Sequence, residues 1–142
     1  MNFFFDTSAL IKKYIIENGS DKVDKLLNEA ENVYISAITE IETFSTFKRL
    51  LIEKAIDKEE YEILKNEFET DFQYYSIINF DKSISSNAKS LIEKYQLKSL
   101  DSIQLGTALY LKDEIDFFVV CDEKLIKSGK QEGLKVIDPN KK

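Results

Sequence analysis

Residues 3–8 of the sequence read FFFDTS, in which an uninterrupted apolar run ends at an acidic residue, Asp6. A run that is apolar at every position is typical of a strand buried on both faces of a parallel sheet. Residues 117–122, FFVVCD, repeat the pattern, with Asp122 directly after the run. The carboxyl ends of parallel strands meet at one edge of a sheet, where α/β proteins bind their ligands. We therefore expect Asp6 and Asp122 to lie at the same edge.

Short apolar runs alternate with longer amphipathic stretches along the rest of the chain, which predicts a parallel sheet covered by helices on both faces. The sequence thus predicts a single three-layer α/β domain over residues 1–142, with about four to five strands. The further strands are predicted at 33–35, 75–80 and 134–137. The helices are predicted at 9–16, 20–29, 39–55, 58–72, 82–95 and 100–112, with a short one after residue 122.

Local patterns refine these helices. Lys12 and Lys13 fall on the polar side of the first helix, and Ser20 is suited to cap the second. Asp57 and Asp81 are suited to cap later helices, Asp57 within a capping box. The predicted apolar stripe of the helix from Thr39 consists of Ile41, Phe44, Phe47 and Leu51.

The composition excludes several classes of chemistry. The chain has no His and a single cysteine, Cys121, so it can build neither a His-dependent nucleophile nor a zinc site. Its four glycines form no dinucleotide or nucleotide-phosphate loop. Any metal here must be a hard cation held by carboxylates, such as Mg²⁺, Mn²⁺ or Ca²⁺. The lone cysteine, the short apolar runs and the lack of a basic leader before Asp6 predict a cytoplasmic protein without a membrane segment.

The net charge of −6 weighs mildly against a nucleic-acid partner. A bound cation can reverse the field at one site, so this average does not exclude such a partner.

Each acid at a strand end or helix start also has a structural explanation. Asp6 and Asp122 are suited to cap the helices that follow them. Asp101, in the segment 99–105 (SLDSIQL), lies where a carboxylate interacts favourably with a helix dipole. Taken singly, none of these acids identifies a site.

Two glutamates lie in the segment 36–42, SAITEIE. Thr39 and Glu42 have the spacing of a capping box, which would give Glu42 a purely structural role. Glu40 would point into the apolar stripe unless the helix begins after it, and the pattern assigns it no role.

Arg49, the only arginine, lies seven residues after Glu42 and therefore on the same helical face. It could touch a phosphate or steady a carboxylate. On spacing alone, a solvated surface arginine is the simpler interpretation, and the same holds for Lys12 and Lys13.

Four segments together resemble PIN-domain ribonucleases, and in particular the VapC-type toxins of toxin–antitoxin pairs. They are 4–10 (FFDTSAL), 35–42 (ISAITEIE), 100–109 (LDSIQLGTAL) and 119–125 (VVCDEKL). The likeness keeps the order and approximate spacing of the family over nearly the whole chain. It implies a three-layer PIN-like fold.

The resemblance assigns the acidic quartet of the family to Asp6, Glu42, Asp101 and Asp122, and it selects Glu42 rather than Glu40. It implies that Asp6, Asp101 and Asp122 are ligands of Mg²⁺ or Mn²⁺, and that Glu42 holds a metal water or acts as the base. Ser8 matches a hydroxyl beside the metal.

The resemblance also implies partners and an activity. The activity is metal-dependent cleavage of RNA, in which a divalent cation lowers the pKa of a water and carboxylates accept its proton. The implied partners are a VapB-like antitoxin and a second copy of the chain in a homodimer.

Two alternatives to a ribonuclease follow. A non-catalytic PIN-like binding or scaffold module would not need the complete acidic quartet. A phosphotransferase of the haloacid dehalogenase type needs Asp-x-Asp after its first strand, and Ser8 occupies the second of those positions.

Overall fold

The structure, a computed structural model, describes residues 1–141. Its strands are β1 (Asn2–Phe5), β2 (Asn32–Ser36), β3 (Ser76–Ile78), β4 (Phe117–Val119) and β5 (Val136–Ile137). Its helices are α1 (Thr7–Leu10), α2 (Ser20–Glu29), α3 (Ile38–Ile52), α4 (Lys58–Phe72), α5 (Lys82–Tyr95), α6 (Ser99–Tyr110) and α7 (Glu123–Gln131), with a 3₁₀ turn over Ile11–Lys13.

The five strands form one sheet in the order β3-β2-β1-β4-β5, and every neighbouring pair is parallel. The first strand is central: Phe4 lies opposite Tyr34 of β2 on one side and Phe118 of β4 on the other. The predicted three-layer parallel architecture is confirmed.

The side chains of β1 explain why the sheet needs helices on both faces. Phe3 and Phe5 point to a core that includes Leu10, Phe47 and Phe68. Phe4 points to the other core, with Phe118. Because successive residues of a strand face opposite sides, three consecutive buried phenylalanines supply apolar surface to both layers. This fixes β1 as the central strand and so fixes where Asp6 emerges.

Two of the predicted helix caps are confirmed. The Asp57 carboxylate accepts from the Glu60 backbone N–H at 2.8 Å, and Glu60 Oε1 accepts from the Asp57 N–H at 3.4 Å, which completes the capping box. Asp81 accepts from the Ile84 N–H at 3.0 Å and caps α5.

The first helical segment differs from the prediction. It begins at Thr7, changes to the 3₁₀ turn after Leu10 and ends at Lys13 instead of residue 16. Lys12 is buried, with 6% of its surface exposed. Its ammonium group donates to Glu17 Oε1 at 2.8 Å and to the carbonyl of Asn18 at 2.7 Å. Lys12 therefore holds the following loop against the 3₁₀ turn, and its placement on the polar side was wrong.

Ser20 is not the cap of α2. The N-cap is Gly19, whose φ of 92° lies in the left-handed region. A Cβ at Gly19 would lie 2.9 Å from the carbonyl oxygen of Pro139, so the position requires glycine on both conformational and steric grounds. Ser20 instead accepts from the Glu17 N–H at 2.9 Å and thereby closes the loop before the helix.

The helix α3 begins one residue earlier than predicted, with Ala37 as its N-cap. Thr39 is therefore inside the helix, and the Thr39–Glu42 capping box is wrong. The buried face runs through Thr39, Thr43 and Phe47, four residues apart. Ile41 lies on another face and is 69% exposed, so its assignment to the apolar stripe was wrong.

Three strands, β3, β4 and β5, are shorter than predicted because pairing stops where the chain leaves the sheet for the next loop. The helices α3 and α6 also end earlier, at Ile52 and Tyr110. Within residues 1–141, no helix is long and apolar enough to cross a membrane.

Candidate active site

A pocket of about 420 Å³ opens at the carboxyl edge of the sheet. All four predicted acids, Asp6, Glu42, Asp101 and Asp122, line it. They come from separate parts of the chain: the end of β1, the face of α3, the first turn of α6 and the N-cap of α7. The fold thus brings together carboxylates that are up to 116 residues apart, from 6 to 122.

Asp6 is the most buried of these acids, with 5% of its surface exposed. Its backbone N–H donates to the carbonyl of Val119 at 3.0 Å, which ties the end of β1 to β4. Ser8 Oγ donates to Asp6 Oδ2 at 2.6 Å. Burial raises the pKa of Asp6 to about 7, the Ser8 hydrogen bond opposes the shift, and the charges of Glu42 and Asp101 add to it. Ionised Asp6 is therefore costly in the absence of a compensating cation.

Glu42 is held by a buried polar cluster that comprises Thr7, Thr39 and Gln104. Glu42 Oε1 accepts from Thr7 Oγ1 at 2.8 Å and from Gln104 Nε2 at 2.9 Å. The hydroxyls of Thr7 and Thr39 are 2.9 Å apart. Because these bonds join α1, α3 and α6, they fix Glu42 relative to three walls of the pocket.

Gln104 is the centre of this cluster and is 1% exposed. Its Nε2 also lies 2.9 Å from Thr7 Oγ1 and 3.2 Å from Thr39 Oγ1. Among the described residues, its Oε1 is the buried side-chain oxygen that has no hydrogen-bond partner. Leaving a buried acceptor unpaired costs about 1–3 kcal/mol. The Gln104 amide is therefore oriented so that its Nε2 donates to Glu42, although this leaves its own Oε1 without a partner.

Asp101 lies three residues before Gln104, so α6 presents both side chains on one side. Burial raises the pKa of Asp101, with the charges of Asp122 and Glu42 as the next causes. Lys98 and Lys124 oppose this shift. The carboxylates of the pocket thus repel one another.

Asp122 has two roles. Its Oδ1 accepts from the Leu125 N–H at 2.9 Å, so it does cap α7. The same side chain lines the pocket. The structural explanation of Asp122 is correct, and it does not exclude a functional one.

Ser8 and Arg49 also line the pocket. Within residues 1–141, the Arg49 guanidinium makes no ion pair with a carboxylate. Its charge is therefore free to meet an anionic ligand, and the pocket presents one cation beside four acids.

The chemistry of the donor set fits a hard divalent cation. Four mutually repelling carboxylates lose their repulsion when a cation lies among them. Within residues 1–141, however, no three such side chains are already arranged as a metal cage. A cation that takes only one or two protein carboxylates and completes its shell with water and substrate oxygens, as Mg²⁺ commonly does, is compatible with this arrangement.

The sequence pattern indicated no role for Thr7 or Gln104, and for Thr39 only the capping box that the structure does not form. The available signal was a glutamine between Ile103 and Leu105, within an otherwise apolar stretch of helix. A polar residue in such a place requires a buried partner.

We expect Gln104→Met, which keeps the volume but removes the amide, to lower the free energy of unfolding by about 1–2 kcal/mol. Glu42 Oε1 loses a donor, while the unpaired Oε1 of Gln104 disappears with the substitution. Urea unfolding measures the change, with Gln131→Met, at an exposed position of α7, as the matched control. Equal effects of the two substitutions would show that the buried cluster does not contribute to stability.

Comparison with protein families gives a match to the PIN domain over residues 3–130. A search of curated proteins finds no match.

Three solved structures are similar in fold. A chain of a toxin–antitoxin complex from Klebsiella pneumoniae is 21% identical, with a TM-score of 0.69 and 96% of each chain covered. FitAcB from Neisseria gonorrhoeae is 18% identical, with a TM-score of 0.73 and coverage of 96% of this chain and 97% of the other. A protein from Pyrobaculum aerophilum is 15% identical, with a TM-score of 0.68 and coverage of 98% and 90%.

The family match covers β1 to α7, the segment that supplies every acid of the pocket. The fold of the three solved structures agrees with it. The chain therefore belongs to the PIN domain family.

Proposed function

We propose that the protein is a divalent-metal-dependent endoribonuclease. The observation that carries this proposal is the meeting of four carboxylates and one unpaired arginine in a single open pocket. PIN domains are in general nucleases, and a pocket with these side chains suits hydrolysis of a phosphodiester. The absence of His from the sequence leaves carboxylates as the proton acceptors.

The side chains that line the pocket have different roles in this proposal. Arg49 binds a phosphate oxygen of the RNA and offsets its charge. Asp6 and Asp101 would hold the cation, Asp122 would complete its shell directly or through water, and Ser8 orients Asp6 through its hydrogen bond. When bound, Mg²⁺ or Mn²⁺ stabilises charge on the phosphoryl group and increases the acidity of a water.

Glu42 is suited to accept a proton or to orient water. Its Oε1 already accepts from Thr7 and Gln104, and within the described residues its Oε2 makes no hydrogen bond. Glu42 lines the pocket while its Oε1 is held by these two donors. Glu42 therefore acts through one oxygen whose position the buried cluster determines.

We expect purified protein to cleave a mixed pool of single-stranded RNA in Mg²⁺ and to leave it intact in EDTA. The products are resolved by sequencing gel, and a single-stranded DNA pool of matched sequence is the substrate control. Cleavage of RNA in EDTA would contradict the metal dependence. Cleavage of DNA as fast as RNA would contradict the substrate class.

The proposal extends to the biological setting. One of the structures with this fold is a toxin–antitoxin complex, which supports a role as the toxin of such a pair, inhibited by a VapB-like antitoxin. The net charge of −6 suits a basic partner segment. We further propose that the protein forms a homodimer and acts in the cytoplasm.

A further inference from the structure

A second open space, of about 590 Å³, lies between α7 and the edge strand β5. Four lysines, Lys22, Lys127, Lys130 and Lys141, line what we call the lysine groove. Its two acids are Glu123 and Asp138. A local excess of positive charge in a protein with a net charge of −6 requires an explanation.

The charges of the four ammonium groups are not paired within the part of the chain that the structure describes. Within residues 1–141, none of them forms an ion pair with a carboxylate. Lys22 donates to the backbone carbonyl of Lys141 at 3.0 Å, which leaves its charge uncompensated. Most lysines of the described residues make no such pair, so the groove is distinguished by the clustering of four of them in one place. The groove thus concentrates free positive charge that an external anion can meet.

The lysine groove leads away from the acid pocket along α7. Asp122, the N-cap of α7, lines the pocket, and Glu123, the first residue of the helix, lines the groove. Lys127 and Lys130 follow Glu123 by four and seven residues and so share its face. At a rise of about 1.5 Å per residue, Lys130 lies roughly 12 Å along the axis from Asp122. A groove of that length can contact a few consecutive phosphates of a single strand.

We propose that the lysine groove binds the phosphate backbone of single-stranded RNA that extends beyond the acid pocket. This rests on the proposed ribonuclease function and adds a binding subsite a few nucleotides long. The groove lining contains no aromatic side chain, so bases are not stacked there and the contact is independent of sequence. Charge complementarity suits any polyanion, and the adjacency of the groove to the acid pocket favours RNA over an acidic peptide.

The test measures the affinity of the full chain for a fluorescein-labelled 16-nucleotide single-stranded RNA of mixed sequence, by fluorescence anisotropy in EDTA, where RNA stays intact. We expect the double substitution Lys127→Gln, Lys130→Gln to weaken binding about tenfold at low salt. The slope of log affinity against log salt should fall by about 1.4, or roughly 0.7 for each lost phosphate contact. Glu123→Gln should have the opposite effect and strengthen binding.

The matched control is Lys58→Gln, Lys89→Gln, which removes the same charge from exposed positions on α4 and α5. An equal loss of affinity in this control would overturn the subsite, since the effect would then follow net charge alone. Stronger displacement of RNA by polyglutamate than by polyphosphate of equal charge would also overturn it, because the groove would then be a peptide site. Cleavage of RNA by wild type in Mg²⁺ is scored separately, so failure of the groove and failure of the ribonuclease function are distinguishable.

Discussion

Replacing Asp101 with Asn lowers the rate of RNA cleavage by at least about 10²–10³-fold, the scale on which single electrostatic contacts to a transition state act. Asn has nearly the same shape but no charge, and it cannot serve as an anionic ligand between Asp122 and Glu42, whose charges act on Asp101. Asp101 is only partly buried, so we expect the fold to be unchanged. Single-turnover cleavage with saturating Mg²⁺ measures the effect.

The matched control for this prediction is Asp21→Asn. Asp21 is also in the first turn of a helix, α2, but lies outside the pocket. It separates the loss of charge near a helix N-terminus from the loss of a pocket ligand. Wild-type cleavage by Asp101→Asn would refute the assignment of Asp101, and an equal loss in Asp21→Asn would show that the effect is general.

Asp6→Asn is expected to change activity and stability in opposite directions. Cleavage is lost because a metal ligand is removed. Stability in EDTA at neutral pH increases, because Asn avoids the ionised state that burial and the nearby acids disfavour. A shift from 3.8 to about 7 corresponds to at most about 4 kcal/mol. Urea unfolding in EDTA measures the expected increase in stability, and urea unfolding in Mn²⁺ measures the expected loss of stabilisation by the metal.

The raised pKa of Asp6 predicts how the free energy of unfolding changes with pH. Between about pH 4 and pH 7, the folded protein retains a proton on Asp6 that the unfolded chain has lost. The free energy of unfolding in EDTA therefore falls as pH rises through this range, and the Asp6→Asn variant shows a smaller fall. The Asp21→Asn variant should follow wild type. A steeper fall in Asp6→Asn than in wild type would contradict the raised pKa.

The sheet and the positions of Asp6 and Asp122 could be predicted because both depend on local patterns, whereas Asp101 was assigned to the site by the family resemblance. The apolar runs at 3–5 and 117–119 are strands, and the acids after them reach one edge. Because parallel strands all end at the same edge of a sheet, both acids reach that edge whichever strands are neighbours. The identity of Glu42, by contrast, came from the family resemblance, because Thr39 offered a capping box that the structure does not form.

The details that escaped prediction depend on tertiary contacts. Lys12 is buried because Glu17 and the Asn18 carbonyl satisfy its ammonium group, and no periodicity reports this. The buried face of α3 contains threonines because Thr39 bonds with Thr7 and Gln104 across three helices. Ile41 is consequently turned towards the mouth of the pocket. In each case a polar contact made outside the helix overrides the local preference of the residue: a short loop contact for Lys12 and contacts between distant helices for Thr39.

If the four acids form a divalent-metal centre that cuts RNA, cleavage and metal binding must depend on the same side chains. The most direct test is a Mn²⁺ titration in which the cleavage rate and the free Mn²⁺ concentration, by electron paramagnetic resonance, are measured on the same samples. We expect the cleavage rate of wild type to rise along the Mn²⁺ binding curve, and Asp101→Asn to weaken both Mn²⁺ binding and cleavage. Full-rate cleavage before Mn²⁺ binds, or saturated binding in wild type with no cleavage of any RNA in the pool, would contradict it.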